Sequence, residues 1–293
     1  MKFTELARPF IVGVISDGDV DSCIRTIRLA EFDGADGFQW ELHNFKDFPP
    51  SKEQMRDVIS STIKPLWTTN RREGRDRGLG AIKIMSEEER VKLQMDALGA
   101  GAVCIDIEMD TFDPWDLWSE EKRKREWPRL MDITVDPKEF PHECCFNKEA
   151  IEKQKRVVDQ VHSVGAEVLF SCHTLVRTRT EGILKIGKEL EDRGADLIKI
   201  VVRNDNFYDL CDTLKANVLL SENMKVPFKL MSQGEPSKLG RVLFPMFGSA
   251  WAFCQQDLRS GGSHYRPLIS TERFILQHVD WRPNWAQHLK TPR

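Results

Sequence analysis

The feature that most constrains this chain is a repeated alternation of short apolar runs with amphipathic stretches, carried almost from end to end. IVGVIS (11–16) reads as a buried strand, and a helix follows with apolar positions Ile24, Ile27, Leu29 and Phe32 and a stop at Asp33-Gly34. GFQWEL (37–42) is a second strand, and the next helix starts at Ser51, with Gln54 three positions on as its capping partner. KPLWTTN (64–70) leads through a Gly/Arg-rich loop to a helix opened by Ser86 and three glutamates, and AVCIDIE (102–108) is the fourth strand. Further on, helix 148–164 precedes strand EVLFSCH (167–173), helix 180–193 precedes LIKIVV (197–202), and helix 206–220 precedes VPFKLMS (226–232). VLFPMFGS (242–249) is read as the last strand and 270–277 as the closing helix. Eight strands alternating with helices, with no shift in composition, predict one α/β domain over residues 1–293, a (βα)8 TIM barrel; a doubly wound open sheet is the other fold with this pattern.

One stretch breaks the alternation. Between Met109 and Phe146 the strand signal disappears, and Trp115, Trp118 and Trp127 mix with the charge run EEKRKRE and scattered prolines. So long a segment is an insertion, expected to serve as a lid or interface element, or else as a surface elaboration with its tryptophans against neighbouring helices.

Composition removes several function classes. A net charge of −3 argues against general nucleic-acid binding. The longest apolar runs, LIKIVV and AVCI, are strand-sized, so no membrane span is expected. The opening MKFTELARPFIVG has no basic segment followed by an apolar one, so a cytoplasmic location is expected. Seven cysteines, at 23, 104, 144, 145, 172, 211 and 254, show no C-x-x-C spacing and read as reduced core thiols rather than a zinc site. Cys172 cannot share a pocket with His173, because strand neighbours point to opposite faces.

In a barrel, reactive groups gather at the C-terminal ends of strands. Strand two ends in Glu41 and His43, strand four in Asp106 and Glu108, and strand five in His173. Strand six carries Lys199 inside an apolar run, with Arg203 at the same parity beyond it. A lysine desolvated there has its amine favoured over its ammonium, and a neutral amine condenses with ketones. His173 is then the natural acid and base. A second chemistry uses Glu41, His43, Asp106, Glu108 and His173 to hold a divalent cation for isomerisation or hydration. A third reading, from another class, is a barrel that binds a metabolite without catalysis; an amine paired with a base has no purpose in it.

At these residues the chain resembles the type I 3-dehydroquinate dehydratases, (βα)8 barrels that form a Schiff base on a lysine. The family's E-x-R after strand two corresponds to Glu41-Leu42-His43, its E-G after strand three to Glu73-Gly74, and its D-x-E on strand four to Asp106-Ile107-Glu108. Its S-x-H after strand five is Ser171-Cys172-His173, and its K-I-x-V is Lys199 and the three residues after it. The glycine-rich segment and F-G-S-A match Gln233-Gly234 through Gly240-Arg241, and then Phe247 to Ala250. The resemblance implies catalysis by Lys199, His173 and Glu73, with Glu73 orienting the histidine, and a substrate shell of Glu41, His43, Asp106, Glu108, Arg203, Arg241, Ser263 and Arg266. Arg241 would hold a carboxylate. It implies a small keto-acid substrate, no cofactor or metal, and a homodimer. The shell departs from the family where His43 replaces an arginine, where Thr69 falls on another, where Arg266 stands near a glutamine, and where Arg203 adds a charge that asks for an acceptor.

Overall fold

Four- to seven-residue apolar runs bounded by turn residues become strands here because each is buried on both faces, as parallel strands covered by helices must be. The computed structural model describes residues 1–72, 85–114, 130–258 and 265–279. The strands are β1 (Phe10–Ile15), β2 (Gly37–Glu41), β3 (Leu66–Thr69), β4 (Cys104–Glu108), β5 (Glu167–His173), β6 (Leu197–Arg203), β7 (Phe228–Gln233) and β8 (Trp251–Cys254). The helices are α1 (Val20–Phe32), α2 (Lys52–Ser60), α3 (Glu87–Gly99), α4 (Lys148–Ser163), α5 (Thr180–Asp192), α6 (Phe207–Asn223), α7 (Ser237–Met246) and α8 (Ile269–His278). The strands form one parallel sheet in the order β7-β6-β5-β4-β3-β2-β1-β8. A doubly wound sheet reverses direction at a switch point. This order follows the sequence without reversal and returns β8 to β1, so the fold is the (βα)8 barrel.

The eighth strand is not the one expected. VLFPMFGS belongs to the second half of α7 and the turn after it, and the strand is WAFC at 251–254. The buried residues Ser237, Gly240, Arg241, Phe244 and Pro245 recur at helical spacing. Pro245 is tolerated because it lies in the last turn, where it removes one hydrogen bond rather than breaking the helix interior.

The chain forms two compact units: residues 1–106, 164–167 and 251 onward, and residues 107–163 and 168–250. In the first, Ser51 and Gln54 cap α2 reciprocally, and Ser86 and Glu89 do the same for α3, as their spacing predicts. Its core holds a cluster of aromatic rings: Phe3 meets Trp67 edge-on at 4.4 Å, Phe10 stacks on Trp251 at 5.6 Å, and Phe253 meets Trp67 at 5.8 Å. Glu167 ties the N-terminus there, accepting hydrogen bonds from the Phe3 and Thr4 amides at 2.8 and 3.1 Å.

In the second unit, residues 130–146 of the insertion dock closely. Thr134 bridges Thr178, the Val135 amide donates to Arg177 O, and the Arg179 amide donates to Ile133 O. A Cβ on Gly182 would lie 2.6 Å from Ile133 O, so α5 carries a glycine where this backbone crosses it. Arg193, 2 % exposed, holds both ends of the insertion by donating to Met109 O at 2.9 Å and Cys145 O at 2.6 Å. The tryptophans at 115, 118 and 127 lie outside the described residues. Among the described residues, no helix is long and apolar enough to cross a membrane.

Candidate active site

Strand parity brings the central pair of the second unit together. Lys199 stands in register with Ser171, and His173 with Val201, so Lys199 and His173 occupy one face of adjacent strands, offset by two residues. Strands ~4.8 Å apart with a rise of ~3.3 Å per residue put their Cα atoms roughly 8 Å from each other. A lysine stem spans most of that distance. Lys199 is 6 % exposed and His173 9 %, so both are largely out of water.

His173 meets a carboxylate that the sequence reading did not select. Glu143 Oε2 lies 2.6 Å from His173 Nδ1 and also accepts the His173 backbone N–H at 2.8 Å. Glu73, expected in this place, lies outside the described residues, as does Ser263. Cys172, on the opposite face, is buried with its Sγ 3.5 Å from that of Cys144. Burial pushes its thiol well above the ordinary range, which suits a packing residue and not a nucleophile.

Arg203 closes β6 and finds its acceptor inside the chain. It pairs with Glu139 of the insertion and, at 3.0 Å, with Asp205. Burial alone would lower its pKa; the two carboxylates more than offset this and raise it. Arg241 is 5 % exposed on α7, and Glu108 is buried at the end of β4. Gly234, just past β7, takes φ +104, and a Cβ there would come within 2.0 Å of Asn204 O. Only glycine lets the loops after β6 and β7 approach so closely.

The first unit holds the other expected residues in their own network. Glu41 accepts from Ser16 Oγ at 2.5 Å, Asn44 Nδ2 at 2.8 Å and Arg266 at 3.2 Å. Glu41 and Arg266, both read as substrate contacts, are thus paired with each other. His43 does not share a strand face with Glu41, because β2 ends at Glu41 and Leu42–Asn44 form a 3-10 turn. Asp106 accepts from Thr69 Oγ1 at 3.1 Å, and Gln94 holds its backbone on both sides. Among the described residues, no group of three or more His, Cys, Asp and Glu side chains is arranged to hold a metal ion.

The sequence family described as type I 3-dehydroquinase matches residues 14–262. The 3-dehydroquinate dehydratase of Klebsiella pneumoniae is 34% identical over 110 residues, covering 37% of this chain and 43% of that protein. That of Alkaliphilus oremlandii is 26% identical over 141 residues, covering 47% and 54%. The chain therefore spans about half the length, or less, of these curated relatives. Among solved structures, the type I 3-dehydroquinate dehydratase of Clostridium difficile with covalently modified comenic acid superposes with a TM-score of 0.68 at 20% identity, covering 93% of this chain and 92% of that one. The enzyme from Geobacillus kaustophilus gives 0.70 at 16% identity, covering 94% and 97%. These structural likenesses carry the fold.

Proposed function

Because the chain belongs to the type I 3-dehydroquinase family, we propose that it is a lyase that dehydrates a cyclic hydroxy-keto acid, 3-dehydroquinate or a close relative, through a Schiff base on Lys199. The Lys199 amine adds to the ketone carbon, and water leaves as the C=N bond forms. The protonated imine draws electrons from the neighbouring carbon, so His173 Nε2 removes a proton there and leaves an enamine. The enamine expels the β-hydroxyl, which takes the proton from His173 and departs as a second water. Hydrolysis of the conjugated imine consumes one water, frees the enone acid and restores the amine. The net change is the loss of one water, and nothing is oxidised or reduced. Arg241 is assigned to the substrate carboxylate, which a guanidinium binds through two parallel hydrogen bonds.

The observation that carries this reading is Lys199, an amine 6 % exposed in the middle of an apolar strand and on the same face as His173. Desolvating an ammonium is costly, and the cost falls when the group serves as a neutral nucleophile. Borohydride added during turnover of 3-dehydroquinate is expected to leave a covalent adduct on the peptide containing Lys199. No adduct with any keto acid tried, together with full activity of Lys199→Ala, would overturn the assignment. A homodimer in the cytoplasm completes this reading, and a monomer mass by light scattering would remove the dimer from it.

A further inference from the structure

We propose that Glu143, carried by the insertion between β4 and α4, is the residue that positions His173 for its proton transfers, the part expected of Glu73. The inference rests on the reading of His173 as the acid and base, and it moves a catalytic duty onto a segment outside the repeating βα pattern.

A neutral imidazole has one N–H, and a carboxylate at one ring nitrogen decides which nitrogen carries it. With Glu143 Oε2 2.6 Å from Nδ1, that nitrogen keeps the proton and Nε2 presents its lone pair. The same oxygen receives the His173 backbone N–H, so the carboxylate registers against the backbone as well as the ring. The side chains of His173 and Glu143 are 11% and 5% exposed, which leaves water little room to compete. When Nε2 accepts a proton from substrate, the imidazolium forms beside a fixed negative charge.

The backbone gives a second, independent indication. Glu143 has φ +43, a left-handed conformation that a non-glycine residue adopts only where its surroundings impose it. Those surroundings run in register with β5. The His142 amide donates to Thr174 O at 2.9 Å, Glu143 meets His173, and Cys144 Sγ lies 3.5 Å from Cys172 Sγ. Three successive residues of the insertion therefore face three successive residues around the end of β5, in opposite order. Arg193 then holds the next carbonyl, that of Cys145. These contacts hold the Glu143 carboxylate against His173.

Glu143→Gly tests the role with little threat to the fold, because glycine adopts φ +43 without strain. The variant is expected to remain folded, to keep KM within about twofold, and to lose about 10- to 100-fold in kcat, the usual effect of removing such a supporting carboxylate. Borohydride trapping on Lys199 is expected to persist. Nitrogen-15 NMR of His173 is expected to show the Nδ1–H tautomer in the unaltered protein and its loss in the variant, a change that a merely structural role would not produce. Glu143→Gln, which keeps an acceptor but not the charge, should fall between the two and carries the test if the glycine variant does not fold. Unaltered kcat in a folded variant, or an unaltered His173 tautomer, would overturn the proposal. Failure to trap Lys199 in the unaltered protein would instead remove the lyase reading, and the tautomer measurement would still decide Glu143.

Discussion

Arg193→Met isolates what holds the insertion in place. The guanidinium donates to Met109 O and Gln154 Oε1 through one terminal nitrogen, at 2.9 and 2.8 Å, and to Cys145 O through the other, at 2.6 Å. Glu189 Oε1 lies 3.0 Å away, but its side chain is 29% exposed and water can take over that bond. Met109 O also keeps the Gln154 Nε2 donor at 3.0 Å. Two buried acceptors, Cys145 O and Gln154 Oε1, each lose the Arg193 donor, at ~1–3 kcal/mol for a lost buried hydrogen bond. Methionine recovers part of the packing of the stem, and the desolvation cost of a buried cation disappears. The expected net loss is about 3 kcal/mol, seen in urea as a lower midpoint with an unchanged slope. The corresponding fall in Tm is roughly 5 °C for a chain of this size. Activity supplies the sharper test. Arg193 touches neither Lys199 nor His173 in the contacts described, so it acts through the insertion: its kcat penalty should appear in the unaltered background and vanish in a Glu143→Gly background. A stability loss under about 1 kcal/mol, or kcat penalties that simply add, would refute the argument.

Two glycines with positive φ should respond differently to alanine. Gly234→Ala forces a Cβ to within 2.0 Å of Asn204 O at φ +104 and is expected to cost more than ~2 kcal/mol in urea denaturation; a cost near zero would contradict the close approach. Gly165→Ala, at φ +78 with nothing within 4 Å, should lose only the conformational part, about 1 kcal/mol. A chromogenic disulfide reagent at mildly alkaline pH should find one fast thiol in the native protein, Cys211, because the other six are buried. Cys211→Ser should abolish that phase, and a second fast thiol would show that the core opens more readily than its packing allows.

The barrel was legible because its repeating unit writes itself in local patterns. EVLFSCH matches β5 to the residue, and Ser51 and Ser86 start their helices where capping chemistry puts them. VLFPMFGS misled because a short apolar run fits a buried strand and a half-buried helix equally well. Its half-covered members, Val242, Leu243 and Met246, look apolar in sequence although α7 buries only the other face. Length was the available arbiter: the run reaches back through Ser237 to the turn at Gly234, ten helical residues rather than a strand's five or six.

The site divides along the same physical line. Lys199 and His173 could be found because strand parity is a period-two rule, and that rule places them on one face without knowledge of anything distant. Glu143 and Glu139 obey no period. Their partners are set by an antiparallel alignment of residues 142–144 with 172–174 and by the path of the insertion over the end of β6, neither of which leaves a local trace. The nearest thing to a signal was Glu143 itself, an acid between His142 and the buriable Cys144-Cys145-Phe146. Arg203 gave another: an added arginine needs an acceptor, and the acceptors are Glu139 and Asp205. A repeating βα unit can bring bases and amines to its strand ends, but each strand end offers few positions. Two strand-end groups that gain from a carboxylate, the His173 imidazole and the Arg203 guanidinium, each receive one from the same non-repeating segment. Shortening that segment should therefore change the protonation behaviour of His173 and the pairing of Arg203 together, whereas a covering lid would change only access.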